Sequence, residues 1–185
     1  MKRLSLFLVC IILFTGCASS GNEMDRALAL RSQIQRSQIT FDVELTADYG
    51  DKTYEFSLAC KGDTQGNLSF TVTEPESIAG ISGTISGGTG KFQFDNEVLA
   101  FEILADGLIS PISGPWVMLK ALRSGYLTSC GSEGDGLRLS IDDSYQDKAL
   151  HLDIWLGEQD IPGRCEIYCE GRRLLTMLVK NLVIL

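Results

Sequence analysis

From residue 39 onward, apolar and polar side chains alternate almost one for one. Phe41, Val43, Leu45, Ala47 and Tyr49 interleave with Asp42, Glu44, Thr46 and Asp48, the period of a strand with one dry face and one wet face. The Gly50-Asp51 pair turns the chain into a second strand that carries Tyr54, Phe56, Leu58 and Cys60 on one side, so the two form a hairpin. A third strand alternates Leu68, Phe70 and Val72 with Ser69, Thr71 and Thr73 until Glu74-Pro75, where a proline that cannot donate to the ladder ends it. Glycines 80, 83, 87, 88 and 90 punctuate short strands over 81–85 and 91–94, and another follows near 98–104. Leu137–Ile141, Ala149–Leu156, Arg164–Cys169 and Leu174–Ile184 continue the pattern.

Two segments keep a helical period instead. Met24, Ala27, Leu28 and Ile34 predict a helix from a cap at Asn22 to about Gln35, with Asp25 favourably placed in its first turn. In SPISGPWVMLKALRSG, Pro115 suits a first helical position, Gly125 a left-handed stop, and Met118, Leu119 and Leu122 share a face. The layout predicts an α+β fold: a curved antiparallel sheet of about 8–11 strands, an incomplete β-barrel, with the N-terminal helix and one inserted helix covering its concave face.

The first residues carry a different message. Lys2 and Arg3 precede an apolar run from Leu4 to Phe14 that is about half the ~20 residues a membrane-spanning helix needs, as in a secretion signal. Leu13, Phe14, Thr15, Gly16 and Cys17 resemble the bacterial lipobox, with Phe14 where Leu, Val or Ile is usual. That resemblance implies a signal peptide over 1–16, a diacylglyceryl group on Cys17, a short tether over 17–24 and a single domain over 25–185. At ~0.8 kcal/mol per buried CH₂, acylation of that kind by palmitate-length chains holds a protein on a bilayer. The expected location is the extracytoplasmic face of the cell membrane. The formal charge is −8, and losing Lys2 and Arg3 with the leader takes it to −10, which argues against nucleic acid and against a basic patch for anionic lipid.

Several stretches, ALALRSQIQRSQITFDVELTADYGDKTYEFSLAC, GNLSFTVTEPESIAGISG, KFQFDNEVLAFE and the helical SPISGPWVMLKALRSG, together resemble the bacterial outer-membrane lipoprotein-carrier (localisation factor) superfamily, which also includes an anti-sigma-factor regulator. The resemblance implies a half-barrel that holds an apolar ligand or a partner protein. Carriers present an arginine in the strand after the proline; residues 78–85 here have none, and the chain is closer in style to lipid-anchored clostridial germination-type lipoproteins.

Groups that carry chemistry are sparse. His151, the only histidine, lies in a strand pattern with Leu152 and Ile154 nearby and no nucleophile motif, which predicts an exposed residue opposite the apolar face. SGGTGKF lacks the first glycine of a phosphate loop and has Phe92 after Lys91 where Ser or Thr is needed, so it reads as a turn. Cys165 and Cys169, about 13 Å apart along one strand, are too distant to bridge each other; with Cys60 and Cys130 they read as core-filling thiols, two bridges being the alternative. Asp142, Asp143, Asp147, Glu158 and Asp160 sit at strand ends without calcium-loop spacing and read as turn residues, and Lys120 and Arg123 as a solvated helix face. No catalytic group, metal site or cofactor is expected.

What remains is apolar inner surface: Phe41, Val43, Tyr54, Phe56, Leu58, Phe70, Val72, Phe92, Phe94, Trp116 and Leu119. It forms a filled core if sheet and helix close, and an acyl-binding cleft if they do not. The expected function is that of a non-enzymatic, membrane-anchored lipoprotein binding an apolar or acyl ligand or an envelope partner. The alternative is an accessory subunit that activates or positions a cell-wall enzyme, for example in spore cortex remodelling or germination.

Overall fold

The computed structural model describes residues 20–94, 97–102, 104–105, 108–134 and 136–185; Cys17 and the leader lie outside them. Helix α1 (Ser20–Arg36) leads into β1 (Ile39–Asp48), β2 (Thr53–Gly62), β3 (Leu68–Glu74), β4 (Ser82–Ser86), β5 (Thr89–Phe94) and β6 (Glu97–Glu102). After the short β7 (Leu104–Ala105) and β8 (Leu108–Ile109) come α2 (Gly114–Ser124), β9 (Tyr126–Glu133), β10 (Gly136–Asp142), β11 (Leu150–Leu156), β12 (Pro162–Cys169) and β13 (Arg172–Ile184). One antiparallel sheet takes eleven strands in the order β6-β5-β4-β3-β2-β1-β13-β12-β11-β10-β9, with β7 and β8 paired apart. Its first and last strands do not pair, so the barrel stays open, as the α+β half-barrel reading expects.

Register follows from the alternation. Ile39, Phe41, Val43, Leu45 and Ala47 of β1 are buried while Asp42, Glu44, Thr46 and Asp48 are exposed. Opposite Val43 stand Leu58 on β2 and Val179 on β13, both buried. A one-residue slip would turn every one of these side chains to water, at about 1.5–3 kcal/mol for each large one. The β4–β5 connection is a two-residue turn in which Gly87 and Gly88 both have positive φ, 56° and 87°, the geometry that matches strand twist and that glycine reaches without strain. The glycine-rich stretch is therefore a hairpin.

Helix α2 fills the middle of the concave face. Gly114 through Leu119, Ala121 and Leu122 are buried, against β2, β10 and β13. Gly114 permits that approach, since a Cβ there would lie 2.9 Å from Met177 Sδ. Pro115 occupies the first turn as expected. Gly125 does not take the expected left-handed form; its φ is −69°, and its small size matters because a Cβ would lie 2.5 Å from Ile141 Cγ2. Asn22 is likewise not the cap, because α1 already starts at Ser20. Ala27, Leu30 and Ile34 form its buried stripe, whereas Met24 and Leu28 are exposed.

Arg123 departs from the solvated reading. Its Nε donates to the Ile34 carbonyl at 3.2 Å and its Nη2 to the Asp63 carbonyl at 2.5 Å, while Arg31 of α1 donates to the Leu122 and Gly125 carbonyls, each at 2.9 Å. Each helix thus satisfies carbonyls that the end of the other leaves without intrahelical donors. Lys120 is exposed, 3.8 Å from Asp143 and above the Trp116 ring. Cys60, Cys130, Cys165 and Cys169 are all free thiols, with Cys60 and Cys165 buried; burial pushes both of those thiols well above the usual range.

Candidate functional site

Beyond α2 the inner face continues onto β4, β5 and β6. There Phe92 stands opposite Leu99 and Gly83, and Phe101 opposite Gly90. The Phe70 and Phe92 rings meet edge to face at 5.8 Å, and Phe92 stacks on Phe101 at 4.3 Å. Glycines make room for these rings: a Cβ on Gly83 would lie 2.5 Å from the Phe70 ring, and one on Gly90 2.0 Å from that of Phe101. The result is an aromatic wing in which Phe92 and Phe101 are half-buried and Leu99 is 67% exposed.

The other sequence-predicted residues separate into two groups. Phe41, Val43, Leu58, Phe70, Val72, Trp116 and Leu119 are buried in the common core, and Trp116 Nε1 donates to the Gly66 carbonyl at 2.9 Å. Tyr54, 41% exposed, stacks on Phe56 at 6.4 Å at the far end of β2, beside Tyr49. Burial, with Tyr54 as a neighbour, pushes the Tyr49 hydroxyl up to about 12; it donates to the Ile109 carbonyl at 2.5 Å. Phe94 ends β5, and its side chain lies outside the described residues. Leu99 and Phe101 went unassigned by sequence reasoning. VLAF is apolar throughout, so only the register with β5 settles which residues face inward.

The outer face is built on charge. Across β10 to β13, cross-strand pairs place Ser140, Asp153, Glu166 and Thr176 in one row and Arg138, Trp155, Arg164 and Leu178 in the next. Asp153 and Glu166 are both buried. Asp153 accepts from Arg138 and Ser140 at 2.7 Å each, and Glu166 accepts from Arg173 at 2.9 Å, from Arg164 and from the Tyr168 hydroxyl. Burial opposes ionisation of both carboxyls, but the donated hydrogen bonds outweigh it and hold them below the usual carboxylate range. Burial and the Glu166 contact push Tyr168 up to about 12. The Trp155 ring lies between the Arg138 and Arg164 guanidinium groups, at 5.4 and 4.9 Å. His151, on this outer face as its alternation predicts, contacts Asp142 at 2.7 Å.

A groove of about 950 Å³ opens on the same side where β3 leaves β2. Pairing of β2 with β3 ends at Ser57↔Glu74, so among the described residues, 53–56 pair with β1 alone. Pro75 and Leu178 supply apolar lining, and Glu44, Glu55, Glu74 and Glu76 surround it. Among the described residues no group of three or more His, Cys, Asp or Glu side chains is placed to hold a metal ion, and no helix is long and apolar enough to cross a membrane.

No protein-family model and no curated protein matches the chain. Solved structures do. A putative outer membrane lipoprotein-sorting protein domain from Vibrio parahaemolyticus is similar at 8% identity over 90% of this chain and 93% of that one, with a TM-score of 0.48. An uncharacterized conserved protein from Thermus thermophilus is similar at 13% identity over 91% and 88%, with a TM-score of 0.49. A LolA superfamily protein from Nitrosomonas europaea is similar at 10% identity over 84% and 92%, with a TM-score of 0.45.

Proposed function

We propose that this chain is a non-enzymatic lipoprotein, anchored through Cys17 to the extracytoplasmic face of a membrane, that binds an apolar ligand such as an acyl chain on the inner wing of its sheet. One observation carries the reading: Leu99, Phe92 and Phe101 form an accessible apolar surface continuous with the core, next to a helix that packs farther along the sheet. Phe70, Phe41, Val43, Leu58 and Val72 support it from within the core, with Trp116 and Leu119 of α2, and Tyr54 and Phe56 form a separate aromatic ledge at the far end of β2. An apolar surface in a concavity gains by covering itself with a molecule that water also rejects. Native mass spectrometry of the full chain should show co-purifying lipid, and a fluorescent fatty acid should bind the wild type and bind Leu99→Lys/Phe101→Ser at least ~10-fold more weakly, about 1.4 kcal/mol. A chain that carries no lipid and ignores the fatty acid overturns the reading.

The outer groove and its flanking Arg–Trp–Arg stack favour a second reading, docking of an envelope protein, in which the chain positions an enzyme of the cell wall. Cross-linking in the native envelope should then capture one dominant partner.

A further inference from the structure

The groove where β3 departs from β2 combines two recognition elements. One is backbone: among the described residues, 53–56 form a strand segment paired on one side only, about 13 Å long at ~3.3 Å per residue. The other is charge: Glu44, Glu55, Glu74 and Glu76 are among the residues that line the groove, with Arg164 as the one cation in that lining. Glu44 is paired with Lys180, and Glu74 accepts from Ser57 at 2.8 Å. Among the described residues Glu55 and Glu76 make no ion pair, and both are exposed. Pro75 and the 45% exposed Leu178 give the floor an apolar character between the carboxylates.

We infer that this groove receives an extended, cationic segment of a partner protein, added as a strand alongside residues 53–56 with lysine or arginine side chains reaching Glu55 and Glu76. Main-chain pairing supplies affinity in such additions, and side chains that alternate between the groove and solvent supply specificity. A basic occupant follows from the charge of the lining, since like charges brought into a groove repel and opposite charges steer and fix register. A second copy of this chain, at formal charge −8, brings the wrong sign. The inference rests on the partner-docking reading and is independent of the apolar wing, whose residues lie on the opposite face.

The test uses the full chain and a fluorescein-labelled KVKVKV peptide, read by anisotropy. The charge-reversed EVEVEV peptide and a KVKVKV with alternate backbone amides N-methylated serve as comparisons. KVKVKV should bind saturably, and Glu55→Gln/Glu76→Gln should weaken it by ~10-fold, as should raising salt from ~50 to ~500 mM. N-methylation should weaken it too, and Asp147→Asn/Glu158→Gln, outside the groove, should not. Equal binding of EVEVEV, an unchanged affinity in the Glu55/Glu76 variant, or absence of saturable binding overturns the inference. So does self-association of the chain that the peptide displaces, which would assign the groove to a second copy. A cross-linked partner in the envelope together with no peptide binding would leave partner docking standing and remove only the cationic strand.

Discussion

The β9 rim of the sheet is strapped by α1, whereas among the described residues the β6 rim pairs with β5 alone. At β9, Glu23 accepts from the Ser132 backbone N–H at 3.0 Å, and Arg26 grips Asp160 across the neighbouring turn with Nε 3.1 Å from Oδ1. At β6, Val98 and Leu99 are 61% and 67% exposed. An unpaired apolar rim invites association, and proteins ordinarily blunt it with charge, proline or a covering element. The β9 half follows that practice; among the described residues the wing does not, which suits the acyl-binding reading proposed above. Stability and binding are therefore expected to reside in different halves of one sheet.

The largest effect should come from the covered half. Met118→Ala, at a fully buried position on the sheet-facing side of α2, is expected to cost about 2–5 kcal/mol in urea unfolding and to leave fatty-acid affinity per folded molecule unchanged. Glu166→Gln comes next. Removing the charge leaves Arg164 and Arg173 facing a neutral amide, an expected loss of about 1–3 kcal/mol at neutral pH. The pH response carries a definite sign. Asp153 and Glu166 have folded-state values below the usual range, so the unfolded chain takes up protons first as pH falls under about 4. Their contribution is present above that range and disappears as pH drops through the folded values; Glu166→Gln should flatten the acid limb of a stability–pH curve. Arg31→Met, which removes two donors to the end of α2, should cost about 1 kcal/mol and speed hydrogen exchange along β9. Leu99→Ser should be the mildest, within about 0.5 kcal/mol of wild type, yet it should weaken acyl binding. A large stability loss from Leu99→Ser would break the division between the halves.

Strand β1 was legible because its inward and outward residues differ in polarity at every step. Strand β9, YLTSCGSE, escaped the reading because it is a rim strand with burial spread thinly over both faces, so no alternation marks it. Gly125 misled because the same residue type serves left-handed stops and close packing, and only the position of Ile141 decides between them. Arg123 misled because its partners, the Ile34 and Asp63 carbonyls, are distant in sequence. The inner aromatic residues could be named from pattern, but their division into closed core and open wing depends on where α2 lies. The outer groove left no trace in the pattern, because it exists only where a bulge and Pro75 carry β3 away from its neighbour.

The two middle strands of the sheet, β1 and β13, come from opposite ends of the described chain, with Ile39 opposite Ile184. Neither half can be sealed to the other until the last strand is available, so assembly must close a loop of nearly the whole domain before its central ladder forms. Such long-range topology folds slowly. During that wait each half presents an unpaired hydrogen-bonding seam, open to pairing with other chains until β13 arrives.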